Sequence, residues 1–398
     1  MLRIGIIGYG GRIAHMARAL QPFGIPFAVT AVADPRQAQI LANDDGFLEQ
    51  ARFYANADDL LGEAAQLDGI MIGTRCNLHT EMACKVASTG LPIFLEKPVA
   101  INFGQLQQLA AAFQNYTAPT MVSFPLRVSP LLERVRAIIQ QGQLGTVEHV
   151  DAFNDVPYGT VYFRSWYRDA TLTGGLWLQK ATHDLDYLNF LLDQTPQTVA
   201  AMGARRVLGG EMPRDLQCKD CSLRESCPES PFVRFRQGFD RASVQFADHG
   251  DYCVFSAGID NDDISNCLIA YAGGAQLSYT QNVFARYRAE RRGARLLGSE
   301  GTLEFDWYQN RIQIFSHRQP TIETIEFTGD MPHFGGDREL AYDWLLALRD
   351  GQPSRSPLEA GILSALTCLW ARESVRDQQF YAIQMPESPL QEREPSIR

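Results

Sequence analysis

Three groups of residues have types and spacings that can do chemistry. The first is the turn Gly8-Tyr9-Gly10-Gly11-Arg12-Ile13, which joins an apolar run to a helix-like one. Closely spaced glycines let a backbone turn tightly and approach a pyrophosphate, whose charge is favoured at a helix N-terminus. The third glycine of the dinucleotide-binding pattern would fall on Ile13, so the fingerprint is incomplete. Asp34 stands 24 residues beyond Gly10, where an acid can accept hydrogen bonds from an adenosine ribose. Such an acid favours NAD by repelling a 2′-phosphate. Arg36 offers that phosphate a partner, which leaves NADP as the alternative. A plain turn at Asp34-Pro35 is the bland alternative.

The second group is Glu96-Lys97-Pro98 together with Lys180-Ala181-Thr182-His183. Oxidising a secondary alcohol requires a hydride acceptor, a group that takes the hydroxyl proton and a donor that steadies the oxygen. A lysine beside a nicotinium charge has reason for a lowered pKa, and a histidine titrates near neutrality. Lys97 follows the apolar run Pro92–Leu95, at the carboxyl edge where parallel sheets bind ligands. Lys97 and His183 are therefore the candidate catalytic residues, with Lys180 a further source of proton chemistry. The bland alternatives are a solvated strand-end lysine and a histidine packed against Asp186 or Tyr187. Tyr158, Tyr162, Phe163, Arg164, Trp166, Tyr167 and Arg168 suit the faces and hydroxyls of a sugar ring, and equally an ordinary core or interface.

The third group is Cys218, Cys221, Cys227 and Cys253. A C-x2-C pair with one near and one distant thiol is a credible tetrahedral zinc set. An iron–sulfur cluster suits four thiolates too, and four free structural cysteines are the remaining alternative. Four thiolates leave no open position, so the expected site is structural. Cys76, Cys84, Cys267 and Cys368 read as inert core residues.

These groups need elements to hold them. Strand-length apolar runs alternate with helix-length stretches from Arg3 to Phe124, which implies a parallel sheet covered by helices. After a helix over Leu131–Gln141, extended segments and glycine turns dominate, broken by a helix over Gly174–Leu192. The expected fold is α/β: an N-terminal Rossmann dinucleotide-binding domain (1–125), then an α+β domain with a largely antiparallel open sheet (126–385). It carries a cysteine-rich insertion near 218–253 and is followed by a disordered tail (386–398). With 398 residues and a formal charge of −10, the chain is no whole-surface polyanion binder. Neither nucleic acid nor a membrane is an expected partner. The absence of a leader-like start gives a cytoplasmic expectation.

The order and spacing of these motifs resemble the glucose–fructose oxidoreductase / inositol dehydrogenase / MocA-like family. The resemblance rests on Gly8–Arg12, Gly73-Thr74-Arg75-Cys76-Asn77-Leu78-His79, Glu96-Lys97-Pro98 and Lys180–Asp186. Gly298–Thr302 and His333-Phe334-Gly335-Gly336-Asp337 are later echoes. It implies that Thr74, Asn77 and His79 line the cofactor edge and that Glu96 lies beneath the nicotinamide ribose. Lys97 would reach ribose and substrate, Pro98 would follow a cis peptide, and His183 would face the substrate. The cysteine-bearing segment, Cys253 included, is similar to an insertion in some relatives. The family's usual acid four residues before the histidine is Gln179 here, and an amide cannot take up a proton.

The expected function is NAD(P)-dependent oxidation of a secondary hydroxyl of a sugar, cyclitol or derivative. The alternatives are a redox-neutral glycosidase or lyase working through a transient keto-sugar, and a non-catalytic nucleotide- or sugar-binding regulator. The family's habit of packing its open sheet against a twin implies a homodimer or homotetramer.

Overall fold

Short, β-branched, apolar runs fold into six strands: β1 (Leu2–Ile7), β2 (Phe27–Ala33), β3 (Arg52–Tyr54), β4 (Gly69–Ile72), β5 (Ile93–Leu95) and β6 (Thr120–Val122). This computed structural model of the chain describes residues 1–236, 251–329 and 332–386. The six strands form a parallel sheet in the order β3-β2-β1-β4-β5-β6. Between them run α1 (Gly11–Arg18), α2 (Gln37–Ala42), α3 (Ala57–Leu61), α4 (His79–Ala87) and α5 (Phe103–Ala112). All four residues of β4 are buried, as expected for a strand covered on both faces. The strand order reverses between β1 and β4, and a crevice opens there at the carboxyl ends of the strands.

The chain then enters α6 (Pro130–Gln140), with Pro130 at its first position and the Ser129 hydroxyl accepting from the Leu132 amide. Next come β7 (Val147–Asp155), the short helices α7 (Val161–Arg164) and α8 (Ala170–Thr173), a π turn over Trp177–Ala181, and α9 (Thr182–Leu192). β8 (Pro196–Ala204), α10 (Pro231–Arg236), β9 (Ile264–Tyr271), β10 (Gln276–Asn282), β11 (Arg291–Gly298), β12 (Gly301–Asp306), β13 (Arg311–Ser316) and β14 (Ile322–Glu326) follow. With β15 (Tyr381–Ala382) they build a nine-stranded sheet in the order β14-β13-β12-β11-β7-β10-β9-β8-β15. β7 and β10 pair in parallel, while their outer neighbours are antiparallel. One face of this sheet rests on α9 and on α12 (Leu358–Asp377).

The last helices return to the first domain. α11 (Gly336–Asp350) sets Leu340, Trp344 and Leu345 in the same core as Ile4, Met16, Met71 and Phe94. The Phe94 and Trp344 rings meet edge to face at 5.9 Å. Residues after 335 thus help to cover the parallel sheet, although they follow the second-domain strands in sequence. The helix expected over Gly174–Leu192 is broken at its start: Gly174 and Gly175 have φ of 76° and 86°, and the π turn precedes α9. β3 and β14 were not legible, being short or largely exposed edge strands without a continuous apolar run. The expected tail, from residue 387, and residues 237–250 of the cysteine-bearing insertion lie outside the described residues.

Candidate active site

The glycine-rich turn is built for close approach. Gly8 has φ of 82°, and a Cβ there would meet the Thr74 amide nitrogen at 2.7 Å. Gly10 caps α1 in extended conformation, and a Cβ on Gly11 would meet nothing within 4 Å. The missing third glycine is explained by β4. Ile13 is 1% exposed, and a Cβ on Gly73 would fall 2.5 Å from the Ile13 Cβ. The close helix–strand contact is made by a glycine on the strand instead of one on the helix. Ile13 is therefore a core residue of the turn.

Two other members of the turn are placed differently from expectation. The Tyr9 side chain is buried, and its hydroxyl accepts from Arg18 at 2.6 Å. Its amide donates to Asp34 Oδ2 at 2.8 Å. Arg12 points away from the pyrophosphate cradle. It donates to both carboxylate oxygens of Asp337 at 2.8 and 2.6 Å, and its Nε lies 3.3 Å from Glu96 Oε1. Burial pushes Asp337 up, but hydrogen bonds from His15, His333 and Arg12 hold it far below the usual carboxylate range. Arg12 thus fixes Glu96 from below by tying it to α11.

Asp34 is 4% exposed, and Arg36 folds back over it. Arg36 donates from its amide and Nε to Oδ1 at 2.9 and 3.0 Å, and from a terminal nitrogen to Oδ2 at 2.8 Å. These bonds outweigh burial and lower the Asp34 pKa. The acid and the arginine on which nucleotide choice turns are paired to each other.

At the other end of the crevice, His79 is not a free wall residue. It is buried, with Nδ1 2.8 Å from the Pro98 carbonyl and Nε2 3.1 Å from the Thr74 carbonyl. Burial lowers its pKa to about 4, so the ring is neutral and its single N–H donates to one of these two carbonyls, in the loop after β4 or in the loop after β5. The Lys97-Pro98 peptide is cis. The Thr74 hydroxyl donates to the Arg75 carbonyl at 3.3 Å. Asn77 Oδ1 is buried without a hydrogen-bond partner, and buried Glu96 Oε1 has the ion pair with Arg12. Burial raises the Glu96 pKa, and Arg12 opposes the shift. An unpaired acceptor and a carboxylate with capacity to spare, beside an open glycine turn, fit the ribose hydroxyls of a dinucleotide.

Lys97 and the second domain meet above this edge. Lys97 Nζ donates to the Gln179 carbonyl at 2.7 Å and reaches Gln179 Oε1 at 3.4 Å. Burial lowers its pKa to about 8. Gln179 is 3% exposed, and its amide donates to Cys76 Sγ at 2.8 Å. Gln179 makes its hydrogen bonds to Lys97 and Cys76, and none to His183. π turns recur at functional sites because the extra residue re-aims side chains.

His183 stands edge to face with Phe124, ring centres 5.8 Å apart, and its Nδ1 is buried without a partner. Burial first, then the charges of Lys97 and Arg292, keep it neutral. The acids beside it are occupied elsewhere. Asp184 accepts from Arg292, Asn154 and Tyr279 at 2.8, 2.6 and 2.8 Å. Asp186 is held by Arg127, as close as 2.7 Å. Lys180 is buried and donates to the Tyr158 hydroxyl. Sequence reasoning missed Cys76, Arg292 and Asp337 as parts of this site. Asp337 stands in a motif that was noted, His333–Asp337, but nothing in its spacing revealed a contact with Arg12.

The expectation of a metal at the four cysteines finds no support. Among the described residues no group of three or more His, Cys, Asp or Glu is arranged to hold a metal ion. The four thiols are free, and the loop is closed by its own backbone. Cys218 N donates to Asp251 O and Cys253 N to Leu216 O, both at 2.8 Å. Main-chain ladder bonds thus do the ordering that spacing had assigned to a metal.

A parallel sheet of this order, a glycine turn at its switch point and a lysine facing a histidine-bearing second domain define a dinucleotide-dependent oxidoreductase. Residues 2–124 match the NAD-binding Rossmann-fold domain of the GFO/IDH/MocA oxidoreductases, and residues 132–304 match the C-terminal domain of the same family. The chain belongs to that family. It is 26% identical over 361 residues to the oxidoreductase YteT of Bacillus subtilis, covering 82% of this chain and 84% of that one. Inositol 2-dehydrogenase of Rhizobium meliloti is 27% identical over 207 residues, 51% of this chain and 58% of the relative. Among solved structures, a levoglucosan dehydrogenase with NADH and levoglucosan superposes with a TM-score of 0.75 at 18% identity. That match covers 96% of this chain and 99% of the other. An oxidoreductase domain protein from Kribbella flavida gives 0.77 at 18% identity, again with 96 and 99% covered. Among the described residues no helix is long and apolar enough to cross a membrane.

Proposed function

We propose that the chain is a dehydrogenase that oxidises a secondary hydroxyl of a sugar, cyclitol or derivative, with NAD as its partner and NADP as the weaker alternative. The observation that carries this reading is Lys97. It is a half-buried amine with a pKa lowered to about 8 at the carboxyl end of β5, within electrostatic reach of a neutral histidine. The Gly8–Arg12 backbone and the N-terminus of α1 would hold the pyrophosphate, and Asp34 with Arg36 the adenosine ribose. Thr74, Asn77 and Glu96 would hold the nicotinamide ribose. When bound, the nicotinamide supplies the hydride acceptor.

The chain's own groups manage the proton. Unprotonated Lys97 takes the hydroxyl proton, and the free Nδ1 of His183 hydrogen-bonds the same oxygen. Gln179 holds Lys97 in place through its carbonyl, and Arg12 holds Glu96. The levoglucosan and inositol named for the proteins above suggest a sugar-like substrate. Copies of the chain would pair through the exposed face of the nine-stranded sheet, where Met202 and Leu268 are 75 and 56% exposed.

The test is one incubation of purified protein with NAD and a panel of free sugars, cyclitols and aryl glycosides, following nicotinamide absorbance and aglycone release together. Stoichiometric NADH without aglycone release is the expected result. Aglycone released with no net NADH would overturn it in favour of redox-neutral cleavage, and no turnover with intact nucleotide binding would leave a binding protein.

A further inference from the structure

Lys180 and Tyr158 meet head to head in the second domain. Lys180 is 4% exposed. Its Nζ donates to the Tyr158 hydroxyl and lies 4.7 Å from the centre of the same ring. A buried ammonium requires a strongly polar or anionic partner, and the nearby carboxylate is already spent. Asp184 accepts from Arg292 Nε at 2.8 Å and from Asn154 and Tyr279. The charged and titratable groups around Tyr158 are Lys180, Arg292, Asp184, Tyr162, Tyr167 and Tyr308. Burial alone would raise the phenol's pKa. Lys180 and then Arg292 outweigh it, so Tyr158 ionises below its usual 10.0. Lys180 directly follows Gln179, whose carbonyl holds Lys97 Nζ at 2.7 Å, and stands three residues before His183 on the same helical run, so the pair borders the same space. Tyr158 is half-buried.

We propose that Tyr158 and Lys180 form a second hydroxyl-binding pair, carried wholly by the second domain, which recognises the hydroxyl next to the one that reacts. The Tyr158 oxygen accepts a hydrogen bond from that hydroxyl, and Lys180 Nζ donates to its oxygen. The substrate class is then a vicinal polyol, because a compound lacking the neighbouring hydroxyl leaves the hydrogen-bonding capacity that the two groups do not spend on each other without a partner. This rests on Lys97 and His183 standing around the reacting oxygen, and it adds a specificity role to residues outside that set.

The test begins with the free full-length protein. The phenolate absorbance of the unaltered chain minus that of Tyr158→Phe should show one phenol ionising below 10.0. Lys180→Met should move it above that value, and Lys180→Arg should keep it low. The turned-over sugar is then compared with its deoxy analogues at either neighbouring carbon. The unaltered chain should lose about a hundredfold in kcat/KM for one of them, mostly through KM, and Tyr158→Phe should discriminate by only about threefold. An ordinary Tyr158 phenol, unmoved by Lys180→Met, overturns the pair. Equal discrimination by both chains overturns its role in recognition. If no sugar is turned over, the dehydrogenase reading fails, while the titration still decides whether the phenolate pair exists.

Discussion

In the proposed reaction, Lys97 is where the chemistry turns on one proton. With its pKa near 8, kcat/KM for sugar oxidation should rise as pH passes through about 8 and level off above it. Lys97→Met should abolish turnover while nucleotide binding stays within about threefold, as read by NADH fluorescence titration. A normal rate in that variant would end the assignment. Nucleotide choice rests on Arg36, which now neutralises Asp34. Arg36→Ala should free that carboxylate for ribose hydroxyls and raise the preference for NAD over NADP by about tenfold, measured as a ratio of dissociation constants.

His79 makes a stability prediction whose sign is set by burial. Its folded pKa, about 4, lies below the unfolded 6.5, so the unfolded chain binds the proton first. Stability is complete above about 6.5 and falls as pH drops toward 4, by on the order of 3 kcal/mol from this group. In urea unfolding, His79→Gln should be less stable at pH 7 and should lose less between pH 6.5 and 4 than the unaltered chain.

Elements decide how these side chains are aimed. The fingerprint's missing glycine is supplied from β4, since Gly73 leaves room for Ile13. Gly73→Ala should destabilise the protein by about 1–3 kcal/mol and weaken NAD binding, because the new methyl forces α1 away from the sheet. Adding Ile13→Ala should restore part of the loss in a double-mutant cycle of thermal unfolding. The glycine turn, the strand–helix alternation and the lysine at a strand end were all readable in sequence because they are local patterns. The π turn was not. Trp177–Ala181 continues an apolar helical pattern into α9, and no residue in it announces the wider turn. Spacing likewise gave no sign that Gln179 bonds Lys97 and Cys76.

At the scale of the whole molecule, the sheet carries one covered and one exposed face. Along β9 the burial alternates residue by residue, and Leu268 pairs with Ala200 and Ser278 on the outer side. Leu268→Glu should leave the fold and nucleotide binding intact and shift the protein toward monomer in analytical ultracentrifugation, because a charge on an apolar interface must be desolvated. No such shift, or a native monomer, would remove that interface.

The sequence by itself determined the class of molecule: a dinucleotide-binding half, a largely antiparallel half, and Lys97 and His183 as the residues to watch. Those signals are periodicities and short motifs, and they survive without knowledge of contacts. Only the tertiary structure decided what each polar group is bonded to. It tied Arg12 to Asp337 across 325 residues, paired Asp34 with Arg36, put Tyr158 on Lys180 and closed the cysteine loop through its backbone. A buried polar group takes whichever partner the packing delivers, because leaving it unsatisfied costs more than any local preference. That partner is set by how distant segments pack and has no fixed spacing along the chain.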